Sequence, residues 1–506
     1  MSNLADHLFR QARTNPGKVA LLHDGRAFTY SQIDDEVCRI AGGLASLGVR
    51  AGSRVGLMAA SSPRFIFFQQ ALFALGAVFT PLNIFYRESE ILHAIESCGL
   101  EFLVIDANLS ARLSERGNAG LRVLKGVVVL TGDDGSASLV CGEPISTIAT
   151  LSDDSVAMML STSATTGKSK GVMLTVGNIR ANYDRTPGWL GLNRDTVTLC
   201  ALPLYNTFGL NQCINALMFT GGLLVLVSKF DACDCLELIE RHRCTFLPAV
   251  PTMLQKMMDH PEADNFDLRS INRIMTGGAP VPAALLERIH DRIGATTTLF
   301  TGYGLTEATA LVTLETVELD ADGRIQRPKS IGKVLDGMAL KILREDGSTA
   351  ATGEVGEICL RGPNLMLGYF QRPEETAIAL ADGWLHTGDL GRLDDEGYAY
   401  IVDRKKDVII RGGQNIYPAD IEAVLYEVPG VIEAAVVRGD DAVLGEVPIA
   451  FVALQPGASV TAEQLIERCR AELAYFKIPA KIHFLPELPK GPTGKILRRE
   501  LTSQAI

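Results

Sequence analysis

The first four hundred residues alternate between segments with helical spacing of apolar side chains and short apolar runs bounded by turn residues. Residues 31–47 have helical spacing, and residues 54–58 form an apolar run typical of a buried strand. Residues 65–75 repeat the helical pattern, and residues 102–105 predict the next strand. Because strands alternate with helices, this pattern predicts parallel sheets covered by helices.

Two changes in the pattern divide the rest of the chain. Near residue 328 short strands with frequent glycines begin, which predicts a small antiparallel or barrel-like subdomain. At residue 403 the charged sequence DRKKD follows the apolar run YAYIV, and an α+β pattern fills the remainder. We predict an α/β protein with a large N-terminal domain, residues 1–402, and a small mobile C-terminal domain, residues 403–506. The charged connector is a candidate hinge, although a solvated turn explains its charges equally well.

Composition excludes some classes of function. The chain has 506 residues, too many for one core, and its net charge of −11 argues against general nucleic-acid binding. Its first residues do not resemble a signal peptide, and no apolar run is long enough for a transmembrane helix. The ten cysteines are scattered without a CxxC pair, so we expect reduced thiols and a cytoplasmic location.

Residues 161–171, STSATTGKSKG, follow the apolar run VAMML. Hydroxyl groups, small residues and lysines after a strand are suited to wrap a phosphate. The segment is not a Walker A loop, because Thr162 occupies the position of the first glycine. On these residues alone, a flexible loop without a ligand is an equally good interpretation.

Four later segments also have candidate chemistry: GGAP at 277–280, TGYGLTE at 301–307, GWLHTGD at 383–389 and PKGPTGK at 489–495. Glycines let a backbone approach a flat base closely, and a carboxylate such as Glu307 is a ligand that Mg²⁺ prefers. Taken singly, GGAP and TGD are typical of turns, and Lys495 is typical of an exposed lysine.

Together and in this order, the segments resemble the motifs of the adenylate-forming superfamily of acyl-CoA synthetases, peptide-synthetase adenylation domains and luciferases. The family's phosphate loop reads [ST]-S-G-[ST]-T-G-x-P-K-G, and here Ala164 and Ser169 replace its glycine and proline. The resemblance covers nearly the whole chain and is closest to fatty-acid and aryl-acid CoA ligases. It implies that ATP and Mg²⁺ activate a carboxylic acid as an acyl-adenylate, and that CoA then forms a thioester.

The resemblance also implies roles for individual residues. Lys495, Glu307 and Thr306 are implied to be catalytic, with Glu307 binding Mg²⁺ and Lys495 bridging the carboxylate and the α-phosphate. The residues implied to bind ATP or AMP are Thr162, Ser163, Thr165, Thr166, Gly167, Lys170, Gly278, Ala279, Pro280, Gly302, Tyr303, Gly304, Asp389 and Arg404. Those implied for the acyl pocket are Asn206, Thr207, Phe208, Asn211, Gly277 and Leu305; for the hinge, Lys406; and for the CoA tunnel, Gly412 and Gly413.

One departure keeps alternatives open. Asn206 stands where the family has a histidine or aromatic gate residue, and an amide neither fills a tunnel like a ring nor exchanges a proton near neutral pH. This slightly favours a carrier-protein thiol or another nucleophile as the acceptor, although no segment resembles the long insertion of fatty-acyl-AMP ligases. A nucleotide-binding pseudoenzyme is disfavoured because the motif lysines and carboxylates are all present, and nothing requires luciferase-type oxidation.

By the same resemblance, residues 206–211, 277–279 and 301–306 wall the acid pocket. These segments contain Phe208 and Leu305 but no arginine and no carboxylate, apart from the adjacent Glu307. We therefore predict a monocarboxylic acid with an apolar or aromatic tail, in preference to a dicarboxylate or an amino acid. Asn206 and Asn211 are candidates to bind a polar ring substituent. A monomer and a dimer fit the sequence equally well.

Overall fold

The structure is a computed structural model that describes residues 3–131, 142–161, 170–279, 281–294, 296–441, 443–490 and 496–505. The described residues divide into two compact units. Unit 1 takes its residues from 1–339 and 361–385, and unit 2 takes its residues from 340–360 and 386–506.

The helices and strands cover most of both units. The α-helices are α1 (Asp6–Thr14), α2 (Tyr30–Ser46), α3 (Pro63–Ala74), α4 (Glu88–Ser97), α5 (Ala107–Ser110), α6 (Glu115–Gly120), α7 (Val176–Tyr183), α8 (Thr186–Trp189), α9 (Thr207–Gly209), α10 (Ala216–Thr220), α11 (Ala232–His242), α12 (Pro251–Met258), α13 (Ala283–Ile293), α14 (Pro373–Ala379), α15 (Pro418–Tyr426), α16 (Ala462–Glu472) and α17 (Arg498–Ala505). The strands are β1 (Val19–His23), β2 (Arg26–Thr29), β3 (Arg54–Met58), β4 (Val78–Pro81), β5 (Phe102–Asp106), β6 (Gly126–Leu130), β7 (Val156–Ser161), β8 (Gly171–Thr175), β9 (Val197–Cys200), β10 (Leu223–Leu226), β11 (Phe246–Ala249), β12 (Arg273–Gly277), β13 (Thr298–Gly304), β14 (Leu311–Thr316), β15 (Ser330–Val334), β16 (Ala339–Leu343), β17 (Gly356–Arg361), β18 (Gly368–Tyr369), β19 (Leu385–Leu393), β20 (Ala399–Arg404), β21 (Ile409–Arg411), β22 (Gln414–Ile416), β23 (Val431–Asp441), β24 (Gly445–Leu454) and β25 (Lys481–Phe484).

The predicted helices and strands of the N-terminal region are confirmed. Strands β3 and β5 and helices α2 and α3 coincide with the predicted segments to within two residues. The start of α2 has a local cause: Thr29 accepts a hydrogen bond from the Gln32 backbone, while the Gln32 side chain accepts one from Thr29. Helix α3 begins with Pro63 directly after Ser62, whose hydroxyl accepts from a backbone N–H of the first turn. Capping residues therefore set these boundaries.

Unit 1 contains two sheets that are mainly parallel. One has the strand order β18-β8-β7-β4-β3-β5-β6, with antiparallel pairing only from β7 through β8 to β18 among its described strands. The other includes β15-β14-β13-β12-β11-β9-β10-β1-β2, and the strands from β13 to β1 pair in parallel. Strands of this kind are covered on both faces, which explains their uninterrupted apolar runs. The predicted α/β class is confirmed.

Unit 2 contains the short strands β16-β17-β19-β20 and a further sheet of order β22-β21-β24-β23, to which β25 adds in parallel on β24. Alternate residues of β23 face opposite sides of this sheet. Ala434 and Val436 pack in one core with α15 and α16, whereas Ala435 and Val437 pack in another with Leu501 of α17. The period of two thus produces the predicted α+β unit.

The boundary of the C-terminal domain stays a prediction. The sequence places it at residue 403, whereas unit 2 already includes residues 340–360 and 386–402. Among the described helices, none combines the length and the apolar character that a bilayer crossing requires.

A buried polar network joins α7 to β14 in unit 1. Asn182 is fully buried, and its amide donates a hydrogen bond of 2.6 Å to the carbonyl of Leu311. Asn211, also fully buried, donates to Thr186 Oγ1 at 2.9 Å and to Asn182 Oδ1 at 3.3 Å. Because buried polar groups without partners are costly, each member depends on the others.

We therefore expect Asn182→Ala to lower the free energy of unfolding of unit 1 by about 2 kcal/mol, because the Leu311 carbonyl and the Asn211 amide lose a partner. Both tryptophans, Trp189 and Trp384, belong to unit 1, so urea unfolding followed by intrinsic fluorescence reports on this unit. Asn272→Ala, at an exposed position, is the control. Equal midpoints for the two variants would contradict a stabilising network.

Candidate active site

The carboxyl ends of β12 and β13 lie side by side, with Gly277 paired to Gly302. Ligands commonly bind at such ends in open α/β sheets. A Cβ on Gly302 would lie 2.6 Å from the carbonyl oxygen of Thr313, and a Cβ on Gly304 would lie 1.9 Å from that of Ala310. Both glycines are therefore required by close backbone packing.

The residues predicted to surround adenine meet at this edge. Gly278 has a φ of +78° and is exposed, as is Ala279, while Tyr303 is nearly buried in β13. The backbone N–H of Tyr303 donates to Thr313 Oγ1 at 3.3 Å. Pro280 lies outside the described residues. Adenine binding stays a prediction, which this placement supports.

Thr306 and Glu307 lie on a 3₁₀ turn, Thr306–Ala308, directly after β13. A second segment of unit 1 holds this turn: Met366 N–H donates to the Glu307 carbonyl at 2.8 Å. The Asn364 amide donates to the Ala308 carbonyl at 2.8 Å, and Thr309 Oγ1 donates to the Asn364 carbonyl at 2.6 Å. The turn that carries Glu307 is therefore fixed by backbone contacts.

The sequence analysis missed Tyr369, which connects Glu307 to Lys170, and Glu375, which pairs with Lys170. The hydroxyl of Tyr369 donates to Glu307 Oε1 at 3.1 Å. The Lys170 ammonium lies 4.6 Å from the centre of the Tyr369 ring and 2.5 Å from the Glu375 carboxylate. Burial, and then the charge of Glu307, raise the pKa of Tyr369, whereas the hydrogen bond from Lys170 lowers that of Glu375. The predicted magnesium ligand and the predicted phosphate lysine thus share one cluster.

The rest of the predicted phosphate loop cannot be placed. Thr162, Ser163, Thr165, Thr166 and Gly167 lie outside the described residues, and Lys170 directly follows this gap. The half-buried carboxylate of Glu307 suits Mg²⁺, which takes one or two protein carboxylates and completes its octahedron with substrate phosphates and water.

Two other groups in the described ranges have metal-type donors. Glu357, Cys359 and His386 converge within 4.8 Å in unit 2, but the Lys405 ammonium already lies 3.1 Å from the Glu357 carboxylate and supplies its positive charge. Burial raises the pKa of the Cys359 thiol to about 12, which opposes thiolate formation. The other group, Cys233, His260 and Glu262, lies at the surface of unit 1.

The segment predicted to line the acyl pocket begins at half-buried Asn206 and continues through α9 into a π-helix, Leu210–Asn215. Short π-helices occur frequently at functional sites. Phe208 packs against an apolar cluster that includes Met275 and Phe300. Thr207 and Leu305 are half-buried. The acyl pocket itself stays a prediction.

Asn211 requires a correction. We predicted that it lines the acyl pocket and named it as a candidate to bind a polar substituent, but it is fully buried and its amide donates to Thr186 and Asn182. It therefore stabilises the π-helix against α7 and α8. Its sequence position alone gave no indication of these partners.

In unit 2, the predicted ribose and phosphate residues form an ion pair. Asp389 of β19 lies opposite Arg404 of β20, and its carboxylate is 2.6 Å from Arg404 Nε. Asp403, directly before Arg404, accepts a hydrogen bond from the Ala419 N–H at 2.9 Å, and burial raises the pKa of Asp403 to about 6. Burial lowers the pKa of Lys406, the predicted hinge residue.

Gly412 and Gly413 form the two-residue turn between β21 and β22. Both have positive φ, +54° and +84°, the conformation of a turn that strongly favours glycine. Turn geometry thus accounts for both glycines, and their predicted role in a CoA tunnel stays a prediction.

Lys495 lies outside the described residues, but both flanks of its segment are anchored. Lys490 and Ile496 form an antiparallel bridge. Arg498, three residues after Lys495, binds both carboxylate oxygens of Glu422, at 2.5 and 2.8 Å. This pairing raises the pKa of the Arg498 guanidinium against the effect of burial.

Comparison with known proteins agrees with these motifs. The family model "AMP-binding enzyme" matches residues 8–370, and "AMP-binding enzyme C-terminal domain" matches residues 420–495. The chain belongs to the family of AMP-binding enzymes.

Individual relatives match over nearly their full length. Feruloyl-CoA synthase of an Amycolatopsis species is 36% identical over 495 residues, 97% of each chain. The o-succinylbenzoate CoA synthetase of Bacillus subtilis, solved with an acyl-adenylate intermediate, is 31% identical with a TM-score of 0.88, covering 99% of this chain and 98% of that one. A structure of the same synthetase with ATP and magnesium is 32% identical with a TM-score of 0.85, covering 98% of both chains.

The ion pair between Lys170 and Glu375 leads to a prediction about ATP affinity. If Lys170 binds phosphate as predicted, the Glu375 carboxylate competes for its ammonium, and Glu375→Gln should lower the KM for ATP about twofold to fivefold, the range expected for a partly exposed pair. The measurement is ATP–pyrophosphate exchange. Glu374→Gln is the matched control, because the neighbouring Glu374 is exposed and has no ion pair within 4.0 Å in the described part of the chain. Equal KM values for both variants would show that the pair does not compete with ATP.

Proposed function

We propose that this AMP-binding enzyme activates a monocarboxylic acid with an apolar or aromatic tail. It is an AMP-forming acid–CoA ligase that uses ATP, Mg²⁺ and CoA. The acid's carboxylate attacks the α-phosphorus of ATP, forming acyl-AMP and releasing pyrophosphate. The CoA thiol then attacks the acyl carbon, forms the thioester and releases AMP.

The observation that carries this proposal is the cluster of Glu307, Tyr369 and Lys170 beside the ends of β12 and β13. It joins an anionic ligand for a hard cation to an ammonium suited to a phosphate. When bound, Mg²⁺ neutralises part of the negative charge of the triphosphate. In this proposal Glu307 would hold that ion, while Lys170 and Thr306 bind phosphate oxygens.

The proposed roles in unit 2 complete the cycle. Asp389 accepts hydrogen bonds from the ribose hydroxyls, and Arg404 orients the Asp389 carboxylate through their ion pair. Lys495 stabilises the charge that builds at the α-phosphate, a contribution on the order of 3 kcal/mol for one preorganised donor. Lys406 is the proposed pivot between the two half-reactions, and the turn at Gly412 and Gly413 is the proposed contact for pantetheine.

The apolar surroundings of Phe208 support the proposed substrate class. The predicted pocket segments contain no arginine to bind a second carboxylate and no acidic residue to bind an ammonium. These segments are Asn206–Asn211, Gly277–Ala279 and Thr301–Thr306. A buried charge without a partner costs several kcal/mol, which is enough to exclude such acids. The name of the feruloyl-CoA relative supports an aromatic monocarboxylic acid in particular. We further propose that the enzyme acts in the cytoplasm, where ATP and CoA are supplied.

Asn206 favours a second candidate for the acceptor. A small polar residue at the proposed gate leaves the tunnel wider than a ring would, which suits the phosphopantetheine arm of a carrier protein as well as CoA.

The proposal is tested with a panel of medium-chain fatty, aryl, malonic and amino acids in ATP–pyrophosphate exchange. We expect the highest kcat/KM for an aryl or fatty acid, and a preference for malonate or an amino acid would overturn the proposed class. Adding CoA or a phosphopantetheinylated carrier protein to the best acid, and quantifying the thioester, distinguishes the two acceptors.

Lys495→Ala should lower the rate of acyl-adenylate formation about a hundredfold or more, the loss of one preorganised donor. Thioester formation from preformed acyl-AMP and CoA should fall less than threefold. Rapid-quench measurement of each half-reaction checks this, with Lys481→Ala, an exposed lysine of the same unit, as the control. Equal losses in both half-reactions would contradict a role confined to adenylation.

A further inference from the structure

Tyr369 contacts both charged groups of the unit 1 cluster. Its hydroxyl donates to Glu307 Oε1 at 3.1 Å, and its ring faces the Lys170 ammonium at 4.6 Å. Among the described residues, no other side chain contacts both groups. The side chain is only half-buried, so packing alone does not explain its orientation.

We infer that Tyr369 is a positioning residue that fixes the spacing between the metal-binding carboxylate of Glu307 and the phosphate-binding ammonium of Lys170. The inference rests on the proposed function. Tyr369 touches neither the acid nor the reacting atoms in this role, and it acts through Glu307 and Lys170.

The hydrogen bond orients the carboxylate. A glutamate side chain has three rotatable bonds, and an orientation suited to Mg²⁺ costs entropy unless a neighbour holds it. Because Tyr369 binds Oε1, its hydroxyl restricts the rotation of the carboxylate that would hold the ion. Partners of this kind orient the ligands of metal sites, and their loss typically weakens metal affinity about tenfold or more.

The aromatic ring orients the lysine. An ammonium over a tyrosine face gains from the ring quadrupole and keeps its N–H groups free for oxygen acceptors. Lys170 uses one of these acceptors now, the Glu375 carboxylate at 2.5 Å. A phosphate that replaces Glu375 would therefore find the ammonium already directed by Tyr369.

The backbone of Tyr369 is fixed independently of these contacts. Tyr369 pairs with Val172 where β18 joins β8, next to Lys170 in the chain. Its N–H donates to Thr376 Oγ1 at 2.9 Å, and the N–H of Phe370 donates to the Gly171 carbonyl at 2.8 Å. The same segment holds the turn of Glu307 through Met366. Tyr369 is therefore a rigid reference for both charged side chains.

Tyr369→Phe is the informative change, because it removes the hydroxyl and keeps the ring over Lys170. We expect the Kd for Mg·ATP, measured by calorimetry without the acid, to rise about tenfold. The Kd for ATP in EDTA should change less than twofold, because the carboxylate acts through the ion. Tyr475→Phe, at a side chain that is 84% exposed, is the control.

A double-mutant cycle with Glu307→Gln separates positioning from a merely structural role. If Tyr369 acts through Glu307, the two changes should be strongly non-additive in Kd for Mg·ATP, and Tyr369→Phe should have little effect in the Glu307→Gln background. Additive effects, or an unchanged Kd for Mg·ATP in Tyr369→Phe, would overturn the inference. Tyr369→Leu removes the ring as well as the hydroxyl. Because the ring no longer directs Lys170, the Kd for ATP in EDTA should be higher for Tyr369→Leu than for Tyr369→Phe.

The two proposals fail in distinguishable ways. If no acid of the panel supports pyrophosphate exchange but the Mg·ATP cycle behaves as expected, the proposed substrate fails and the positioning role stands. If exchange is normal while Tyr369→Phe binds Mg·ATP like the wild type, the positioning role alone fails. Urea midpoints of all variants, read from fluorescence, show whether each is folded.

Discussion

The positions of the cationic side chains predicted to bind the nucleotide depend on carboxylates that balance their charge. The protein has a net charge of −11, yet an ATP site needs ammonium and guanidinium groups with free donors. In unit 1, Lys170 is neutralised by Glu375 and supported by the ring of Tyr369. In unit 2, Arg404 is neutralised by Asp389. Each cation therefore has a defined position without ATP, and under the proposed function a phosphate exchanges with the Glu375 carboxylate in unit 1.

The segment from Asn364 to Tyr369 explains how distant parts of the sequence meet at Glu307. Its first half binds the 306–309 turn through Asn364 and Met366, and its second half pairs with the strand that follows Lys170. A shift of this segment would move both charged groups together. Thr309 has a φ of +69°, unusual for a β-branched residue, and its hydroxyl bond to the Asn364 carbonyl helps to hold that conformation. Local strain is thus stabilised by the same contacts that place Glu307.

The sequence was sufficient for features that depend on local periodicity. The periods of β3, β5, α2 and α3 were visible because each element buries a regular set of apolar positions. Tyr369 was missed because β18 has only two residues, too few for a period, and Glu375 was missed because α14 buries none of its residues and so has no apolar pattern. Their partners are also about 60 and 200 residues away in the chain. Asn211 was misplaced because a buried amide and a pocket amide look identical in a sequence, and only its contact with Asn182 distinguishes them.

The same reasoning limits what a motif glycine can show. Gly304 and Gly302 leave no space for a Cβ against the neighbouring backbone, so packing alone requires them. Gly412 and Gly413 have open space but positive φ, so the turn alone requires them. In neither case does a ligand have to be invoked to explain the residue type. The proposed function therefore rests on charged and hydroxyl groups whose placement local structure does not require: Glu307, Lys170 and the hydroxyl of Tyr369. A fold can retain glycines that it requires even after catalytic activity is lost. The stability of the fold does not require a tyrosine hydroxyl directed at a carboxylate beside a lysine.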